Sequence, residues 1–585
     1  MKERKETMND TGWNSDRWPG GVPHEVEGYE HPLYCLLEDA ARDFPDHTYT
    51  IFMGGKRSFR QVEDAARKVA RFLKERGIGK GDRVAIFLPN IPHYPEIFFG
   101  ILMAGALGVT CNPMYKESEL HFQLKDSGCK AAFVMDHPVL YPTALNAIKD
   151  TDVKTTIICN VKSHLPRIKG ILGTLFKKIP VCPFHEESHI PYDTILRLDR
   201  GIEELEPVDP LKDPALILYT GGTTGVPKGA VLSHANLLSN VRATQLWIRL
   251  RQKGGNEYLP IKRGGDHVYL GVLPWYHSFG LTMVMLTSCA NASKLVCIPD
   301  PKAGNPPFTE VLKSIERYRV TIFVGVPTIF NAFVNHPHIS RFDLSSILGC
   351  GSGAAPLPVE VIKKFEEKTG AVIFEGYGLT ETSPVLTINP TNLEQRKIGT
   401  VGLPIPGTDI KIVDLETGLK ELPQGQDGEI AASGPQVMLG YWNRPEENRA
   451  VFRELNGKRY FLTGDIGHID EDGFLVITDR KKDMIIVGGF NVFPRDVEEV
   501  LYMHPDIENA AVVGVPDERT GERIKAYVQL KEGRELKEND IIEFCKSHLV
   551  SYKCPKEVEF RDSLPTSIVG KILRRELKEE ELKRG

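Results

Sequence analysis

The feature that most constrains the fold is a regular alternation of short apolar runs with amphipathic stretches. The apolar runs have the length and composition of buried strands, and the predicted strands are Arg83–Leu88, Ala131–Val134, Thr155–Cys159, Thr321–Val324 and Ala371–Phe374. Helical patterns separate them: one begins at the capping residue Ser58 and ends at Gly77, and others cover Ile97–Val109 and Glu360–Lys368. Such alternation predicts βαβ units around a largely parallel sheet.

The chain has 585 residues, too many for one hydrophobic core, so we expect several domains. From Val401, prolines and glycines punctuate short strands, which predicts a β-rich subdomain over about 401–478. A charged run, Asp479–Asp483, then precedes a further α+β pattern. We predict an α/β fold with a large N-terminal domain of βαβ sheets over 1–478, a hinge at 479–482 and a mobile α+β C-terminal domain over 483–585. A solvated turn is the alternative interpretation of the charged run.

A loop rich in glycine and threonine follows the apolar run Ala215–Leu218. Its glycines let the backbone approach a phosphate chain, and its N–H groups, hydroxyls and ammonium group can bind phosphate oxygens. It is not a Walker P-loop, because Pro227 separates Lys228 from Gly225 and Gly229 follows the lysine. The predicted phosphate-binding residues are Thr220, Gly221, Gly222, Thr223, Thr224, Gly225 and Lys228.

The segment Phe374–Thr382 combines an aromatic ring, glycines and a carboxylate after a predicted strand. Gly376 and Gly378 flank Tyr377, so its ring can lie flat against a purine. Glu381 is a hard oxygen ligand of the kind that Mg²⁺ prefers beside substrate phosphates. A turn around a core tyrosine is the alternative interpretation.

One acidic residue, Asp465, lies between glycines in the segment Tyr460–Gly467. We interpret the segment as a tight turn that presents the carboxylate. A carboxylate in such a position can accept hydrogen bonds from both ribose hydroxyls of a nucleotide.

A lysine near the C-terminus, Lys571, follows Gly570 and precedes an apolar pair within Pro565–Arg575. An ammonium group held at a loop tip can offset negative charge when a carboxylate attacks a phosphate. A solvated surface lysine is the alternative for this basic tail.

These motifs together resemble those of the acyl-adenylate-forming superfamily, which includes acyl-CoA synthetases, luciferases and peptide-synthetase adenylation domains. The resemblance runs from about Ser58 to Glu576, and the Thr-Gly-Gly-Thr-Thr-Gly form of the loop is similar to that of fatty-acid–CoA ligases. Most members carry serine where this chain has Gly221.

The resemblance implies roles for individual residues. It implies that Thr380 and Glu381 contact the α-phosphate and Mg²⁺, and that Thr220 serves both the phosphates and the metal. It implies that Asp465 binds the ribose with help from Arg480 at the hinge.

The resemblance also implies the walls of the acyl and coenzyme A sites. Gly488 and Gly489 would line the tunnel for the pantetheine arm after the C-terminal domain rotates, although the residues alone fit a hairpin turn equally well. The resemblance implies that His277 borders the acyl-adenylate. The alternative interpretation is a histidine packed in the core. Leu281 falls where related ligases place a gate, for which some use tryptophan, and the small residues of 351–355 would form another wall.

A basic amphipathic pattern occupies Ser163–Pro180. Leucines, isoleucines and a phenylalanine recur on one predicted helical face among lysines and an arginine, which is typical of helices that lie on membranes. A helix docked on the protein's own core is the alternative, and Gly170 and Gly173 weaken the helical pattern. Long-chain ligases of the resembling branch often carry a similar insert.

Composition excludes several classes of protein. The net charge of −5 and pI near 6.4 give no support for nucleic-acid binding. The ten cysteines include no Cys-x-x-Cys pair, which argues against a disulfide framework or zinc site and favours a reducing compartment. Met1–Trp18 has no apolar signal-peptide core, and the apolar run Ile97–Val109 is too short to span a bilayer.

The sequence therefore predicts an ATP-dependent ligase that joins a long-chain fatty acid to coenzyme A. The reaction would pass through acyl-AMP and would use Mg²⁺ as a cofactor. The catalytic candidates are Lys571, Glu381, Thr220 and His277, and the metal candidates are Thr220 and Glu381. An aryl-CoA ligase or fatty-acyl-AMP ligase of the same superfamily and a non-catalytic nucleotide-binding protein remain alternatives. We expect a cytoplasmic location. Contact of 163–180 with the inner face of the membrane is left open, and so is the formation of a homodimer.

Overall fold

The computed structural model describes residues 17–166, 169, 182, 189–220, 226–251, 257–517, 519–566 and 572–584. The helices in these ranges are α1 Cys35–Asp43, α2 Phe59–Glu75, α3 His93–Met103, α4 Glu117–Ser127, α5 Leu140–Ile148, α6 Tyr192–Leu196, α7 His234–Trp247, α8 Ser278–Gly280, α9 Thr287–Ala290, α10 Thr309–Tyr318, α11 Pro327–Val334, α12 Val359–Thr369, α13 Pro445–Val451, α14 Pro494–Tyr502, α15 Glu538–His548 and α16 Arg574–Arg584. A π-helix, Leu281–Leu286, joins α8 to α9.

Two largely parallel sheets form the main body. The strands of the first are β1 Thr48–Phe52, β2 Gly55–Ser58, β12 Val268–Gly271, β13 Lys294–Cys297, β14 Ile322–Gly325, β15 Gly349–Ser352, β16 Val372–Gly378, β17 Val385–Ile388 and β18 Leu403–Pro404, in the order β18-β17-β16-β15-β14-β12-β13-β1-β2. The strands of the second are β3 Arg83–Phe87, β4 Leu107–Thr110, β5 Ala131–Met135, β6 Thr155–Cys159, β7 Ile190–Pro191, β8 Pro214–Thr220, β9 Lys228–Ser233 and β21 Gly440–Tyr441, in the order β21-β9-β8-β4-β3-β5-β6-β7. Antiparallel strands occur only at the ends of this described arrangement, so the prediction of a largely parallel α/β fold is confirmed.

Local signals explain where the main-body helices begin and end. Ser58 caps α2, because its side chain accepts a hydrogen bond from the N–H of Gln61 and Gln61 returns one to the Ser58 backbone. The predicted helix over Ile97–Val109 is wrong in extent: α3 ends at Met103, Gly105 turns the chain with a φ of 77°, and β4 follows. Both elements are buried on all sides, so no polar residue marked the boundary between them.

The predicted β-rich stretch forms a separate antiparallel sheet. Its strands are β19 Asp409–Val413, β20 Gly428–Ser433, β22 Phe452–Leu455, β23 Lys458–Ile469 and β24 Leu475–Arg480. The short hairpin β10 Arg249–Arg251 and β11 Tyr258–Pro260 lies apart from it. Asp479 and Arg480, which the sequence analysis placed in the hinge, complete β24, and a turn at 481–483 follows.

The C-terminal part has its own sheet and its own hydrophobic core. Its strands are β25 Ile485–Val487, β26 Phe490–Val492, β27 Ile507–Asp517, β28 Gly521–Leu530 and β29 Glu557–Phe560. Side chains from this sheet, α14 and α15 bury one another in a cluster separate from the main-body core. The sequence-based expectation of a small α+β unit following the larger one agrees with this arrangement.

Candidate functional site

The cavity of interest, with a volume of ≈ 610 Å³, lies where the first parallel sheet, the β-rich sheet and the turn after β24 meet. The carboxyl ends of β14, β15 and β16 point to it, as parallel strands with a common direction require. The predicted residues that line it are Thr220, Lys228, His277, Gly376, Tyr377, Gly378, Thr380, Glu381, Asp465 and Arg480.

The predicted phosphate loop lies in the sequence between two paired strands that reach one side of the cavity. Thr220 ends β8, Lys228 begins β9, and the two are opposite each other in the antiparallel ladder. The Thr220 hydroxyl donates to the Lys228 carbonyl over 3.4 Å. The Lys228 ammonium lies 3.9 Å from the Glu447 carboxylate and 5.5 Å from the centre of the Tyr441 ring. The remaining predicted loop residues, Gly221, Gly222, Thr223, Thr224 and Gly225, lie outside the described residues.

The end of β16 brings Tyr377 to the cavity. Its hydroxyl donates to Asp465 over 2.7 Å, and burial followed by the Asp465 charge raises the pKa of Tyr377 well above its usual value. Gly378 is required here, because a Cβ would lie 1.8 Å from the Pro384 carbonyl oxygen. The Tyr377 ring therefore belongs to a fixed wall, with its polar end directed at the acidic residue.

Asp465 lies in the long strand β23 rather than in the tight turn that the sequence predicted. The turn signal came from Gly464, which has a φ of 74° and lies at a shift in the register of β23 with β20, while Asp465 remains paired with Arg480 of β24. Only 5% of Asp465 is exposed, and its other carboxylate oxygen forms an ion pair with Arg480, whose Nε lies 3.2 Å away. The Tyr377 hydroxyl and the Arg480 charge thus hold the carboxylate at the cavity wall.

Glu381 is buried, and burial raises the pKa of its carboxyl group. The Tyr441 hydroxyl donates to Glu381 Oε1 over 2.8 Å and opposes that rise. Sequence reasoning missed Tyr441, which reaches the cavity because β21 pairs with β9 and sets Tyr441 opposite Ala230. The Gly-Tyr-Trp run at 440–442 was the available sequence signal. It does not indicate a cavity residue unless the pairing of β21 with β9 is known.

The donor set suits Mg²⁺ held jointly with substrate phosphates. Glu381 supplies one carboxylate and Thr220 one hydroxyl to the same cavity, and Mg²⁺ sites of this kind use one or two carboxylates with phosphate oxygens and water. Across the described ranges, no group of three or more His, Cys, Asp or Glu side chains could hold a metal without such help.

A second part of the cavity wall is apolar. It comprises Ile248, Tyr269, Met283, Ile322, Val324, Phe374, Val385 and Ile388. Gly351, Ser352, Gly353 and Ala354 also line the cavity, as the sequence analysis expected for this segment. Leu281, the expected gate position, is fully buried at the start of the π-helix and is absent from the described lining.

His277 lines the cavity as the N-cap of α8. Its Nδ1 accepts a hydrogen bond from the Phe279 N–H over 3.3 Å, and burial lowers the pKa of the imidazole. A neutral ring whose Nδ1 is an acceptor carries its proton on Nε2. The histidine can therefore offer one N–H donor to an acyl oxygen.

Of the remaining predicted residues, those that the structure describes do not line this cavity. Gly488 and Gly489 form the exposed turn between β25 and β26, with φ of 57° and 85°. Lys571 lies outside the described residues, as does most of 163–180. The hinge-adjacent Lys481 binds Glu429 over 2.8 Å beside the cavity.

The described beginning of 163–180 is attached to the main body. His164 Nε2 contacts the buried Glu96 carboxylate at 3.0 Å, and the Lys169 ammonium donates to the Met53 carbonyl over 2.8 Å. Leu165 packs against the main-body core. No helix within the described ranges is long and apolar enough to cross a membrane.

Comparisons with known proteins show which family the chain resembles. The sequence matches the AMP-binding enzyme family over residues 37–442 and the AMP-binding enzyme C-terminal domain over 496–571. It is 41% identical over 569 residues to a long-chain-fatty-acid–CoA ligase of Bacillus subtilis (strain 168), covering 96% of this chain and 97% of that protein.

Two solved structures extend the match to three dimensions. ATP-bound MatB from Rhodopseudomonas palustris has a TM-score of 0.76 at 28% identity, covering 94% of this chain and 99% of that one. A Mycobacterium tuberculosis fatty acyl CoA synthetase has a TM-score of 0.69 at 29% identity, again covering 94% and 99%. The family match over more than half of the chain and the 41% identity to a relative of nearly the same extent establish that the chain belongs to the family of AMP-binding enzymes.

Proposed function

We propose that this protein is a long-chain fatty acid–CoA ligase that uses ATP and forms an acyl-AMP intermediate. The observation that carries the proposal is one continuous cavity with a polar part and an apolar part. The polar part contains Lys228, Glu381 and Asp465, and the apolar part is walled by residues such as Met283 and Phe374. A nucleotide alone needs only the polar part, whereas joining it to a fatty acid needs both.

The polar part suits the nucleotide of the substrate. The Tyr377 ring offers a face for adenine, and the Asp465 carboxylate accepts from the ribose hydroxyls while Tyr377 and Arg480 hold it in place. Lys228 and Thr220 flank the phosphate loop. Glu381 and Thr220 would hold Mg²⁺, which when bound supplies positive charge to the phosphates.

The first chemical step forms a bond between the fatty-acid carboxylate oxygen and the α-phosphorus, and the bond to pyrophosphate breaks. Both reactants are anions, so cationic side chains must reduce their repulsion as they approach. Lys228 lies at the cavity, and we assign the same task to Lys571. Thr380 is a further donor for the α-phosphate, and the His277 Nε2–H can hold the acyl oxygen.

In the second step the thiol sulfur of coenzyme A attacks the acyl carbon, and AMP leaves. The ATP phosphates and the pantetheine thiol need the same region at different times. We assign 483–585 to a domain that turns about 479–482 between the steps, with Lys571 serving the first and Gly488 and Gly489 the second.

We further propose that 163–180 contacts a membrane that holds the fatty acid. The attachment of His164 and Lys169 to the main body supports a fixed base for the segment. The basic residues beyond it, Lys177 and Lys178, are the candidates for contact with anionic headgroups.

The test measures pyrophosphate release for acids from C2 to C20 and for aryl acids, each with and without coenzyme A. Each buried CH₂ contributes about 0.8 kcal/mol, so kcat/KM should rise with length and favour C12–C18 acids over acetate or benzoate. A maximum at acetate or an aryl acid contradicts the proposal. Thioester formation with free coenzyme A separates a ligase of this kind from a fatty-acyl-AMP ligase, and no release with any acid would indicate a binding protein.

A further inference from the structure

We propose that Asp126 is a positioning residue for MgATP, because its carboxylate joins the strand that leads into the predicted phosphate loop to the segment that carries Tyr441. The inference rests on the proposed ATP-dependent function and adds to it a residue that is not among the described residues of the cavity wall. Its basis is the two hydrogen bonds that the carboxylate accepts, the strand pairing around them and the place of Asp126 on α4.

The two oxygens of the Asp126 carboxylate bind side chains from two separate segments. Tyr219 donates its hydroxyl to Oδ2 over 2.7 Å, and Arg444 donates from Nη2 to Oδ1 over 2.6 Å. The backbone carbonyl of Asp126 also accepts from the Trp442 indole over 3.2 Å. Only 14% of the Asp126 side chain is exposed, and hydrogen bonds to a charged group shielded from water are of the stronger kind. One carboxylate therefore holds the two segments together.

The first segment leads into the predicted phosphate loop. Tyr219 directly precedes Thr220 and pairs with Gly229, the neighbour of Lys228. The Tyr219 ring packs against the cluster of buried side chains between α4 and the second sheet. A Cβ on Gly229 would lie only 3.2 Å from the ring atom Cζ, so this glycine leaves room for the ring. A fixed Tyr219 hydroxyl therefore fixes the strand ends on either side of the loop.

The second segment carries groups that face the proposed phosphate and metal ligands. Tyr441 donates to the proposed metal ligand and belongs to β21, which pairs with β9. Arg444 is the N-cap residue of α13, and α13 carries Glu447, whose carboxylate lies 3.9 Å from the Lys228 ammonium. Arg444 is midway in sequence between Tyr441 and Glu447. Its bond to Asp126 therefore fixes both of these residues relative to the phosphate loop.

Helix α4 alone does not favour a carboxylate at this position. Asp126 lies in the last turn of α4, where negative charge is unfavourable because the helix dipole is itself negative at that end. The cations and hydroxyls that compensate the charge come from other elements, through Tyr219 and Arg444. The carboxylate thus serves the contacts between elements rather than the helix that carries it.

The test measures the KM for MgATP and the KM for the fatty acid separately. Asp126→Ala releases both segments, so part of the binding energy of MgATP must order them again, and the KM for MgATP should rise about tenfold. The KM for the fatty acid, which occupies the apolar part of the cavity, should stay near the wild-type value. Asp126→Asn keeps an acceptor oxygen without the charge and should give an intermediate KM for MgATP. A loss of folded protein would lower kcat and leave both KM values unchanged.

Variants of the two partners test whether the carboxylate is the link. Tyr219→Phe and Arg444→Gln each remove one contact and should raise the KM for MgATP by about threefold. Adding Asp126→Ala to the double variant of these two should have little further effect, because residues in one network are not additive. A full further loss would show that Asp126 acts elsewhere and would overturn the inference. Should Asp126→Ala not fold, the two partner variants decide.

Asp82→Ala is the matched control. Asp82 precedes β3 of the same sheet and pairs with Lys130 over 2.6 Å, the separation found between Asp126 and Arg444, and its side chain is 15% exposed. It is not among the described lining residues, so the control should lose stability and keep both KM values.

Calorimetry with MgATP alone repeats the comparison without the chemical step, and the Kd should rise about tenfold in Asp126→Ala. If the wild type binds MgATP but activates no acid, the proposed function fails, and the calorimetric comparison still decides the role of Asp126. If Asp126→Ala binds MgATP as the wild type does, the inference is wrong.

Discussion

Asp465 and Arg480 face each other across the antiparallel pair β23 and β24, with Arg480 Nε 3.2 Å from Asp465 Oδ1. The proposed ribose ligand is thereby coupled to the last residue of the strand that leads into the C-terminal part. Arg495 and Arg574, both from that part, bind Asp479 beside Arg480. Movement of the C-terminal part would therefore change the contacts of Asp465 at the proposed nucleotide site.

The first prediction concerns this carboxylate. Asp465→Asn should raise the KM for ATP by about tenfold or more, since a hydrogen bond to a charged group contributes about 1.5–3 kcal/mol. Asp427→Asn is the control, because Asp427 pairs with His468 in the same region and does not line the cavity. Initial rates of pyrophosphate release at varied ATP give both values. Equal effects of the two substitutions would exclude the ribose role.

Sequence patterns predicted the parts of this site that depend on local structure. The apolar runs marked strands, Ser58 marked the start of α2, and the residue types at Tyr377 and Glu381 marked the cavity. Patterns failed where the outcome depends on distant pairing: Tyr441 becomes a partner of Glu381 only because β21 joins β9. Asp465 was predicted to lie in a turn because the nearby glycines are a local turn signal. The strand that contains it, β23, forms through pairing with the strands beside it in the sheet.

The second prediction concerns pH. Glu381 must be ionised to bind a metal, burial raises the pKa of its carboxyl group, and the Tyr441 hydrogen bond lowers it. Tyr441→Phe removes the lowering contribution, so the pKa of Glu381 should rise. The acidic limb of kcat/KM for MgATP should then move to higher pH, while the alkaline limb stays in place. A uniform loss of activity with no shift would mean that Tyr441 does not tune Glu381.

The third prediction concerns stability. Burial of Glu96 opposes its ionisation, but the charges of His164 and Arg57 outweigh that effect and lower its pKa to about 2. A carboxyl group with a depressed pKa stabilises the fold above its ordinary value of 4.5, and that contribution is lost as pH falls toward 2. Glu96→Gln leaves Arg57 uncompensated and should destabilise the protein by about 3 kcal/mol at pH 7.

Urea denaturation at several pH values measures this contribution. The difference between wild type and Glu96→Gln should shrink between pH 4.5 and the lowest pH at which the wild type is folded. Glu360→Gln, at an exposed ion pair on α12, should change stability little. A constant difference across pH would show that Glu96 acts through packing alone.

The fourth prediction concerns membrane contact. Replacing Lys177 and Lys178 by Glu should weaken binding to anionic liposomes, since each basic residue near such a surface contributes about 1 kcal/mol. Lys313→Glu with Lys363→Glu, at exposed positions on α10 and α12, controls for net charge. Sedimentation with vesicles that contain phosphatidylserine gives the bound fraction. Unchanged binding with an intact fold would favour a segment docked on the protein.

The fifth prediction separates the two chemical steps. Lys571→Ala should abolish pyrophosphate exchange yet still convert supplied acyl-AMP and coenzyme A to thioester, because its charge is needed only while the α-phosphate is attacked. Lys482→Pro restricts φ in the turn after β24 and should have the opposite effect, keeping adenylation and impairing thioester formation.

The opposite responses follow from the contacts around the turn. In the structure, Arg574 bridges Asp479, Asp483 and Glu498 and so holds the segment that follows Lys571 against the end of β24. A proline at 482 should hinder passage of the domain to the thioester-forming position, because we expect that rotation to need the φ change that proline forbids. Arg575→Ala, which removes a neighbouring exposed pair with Glu579, should leave both half-reactions near wild type. If Lys571→Ala impairs both half-reactions equally, the lysine does not belong to one position of the domain, and the assignment of separate positions to the two steps fails.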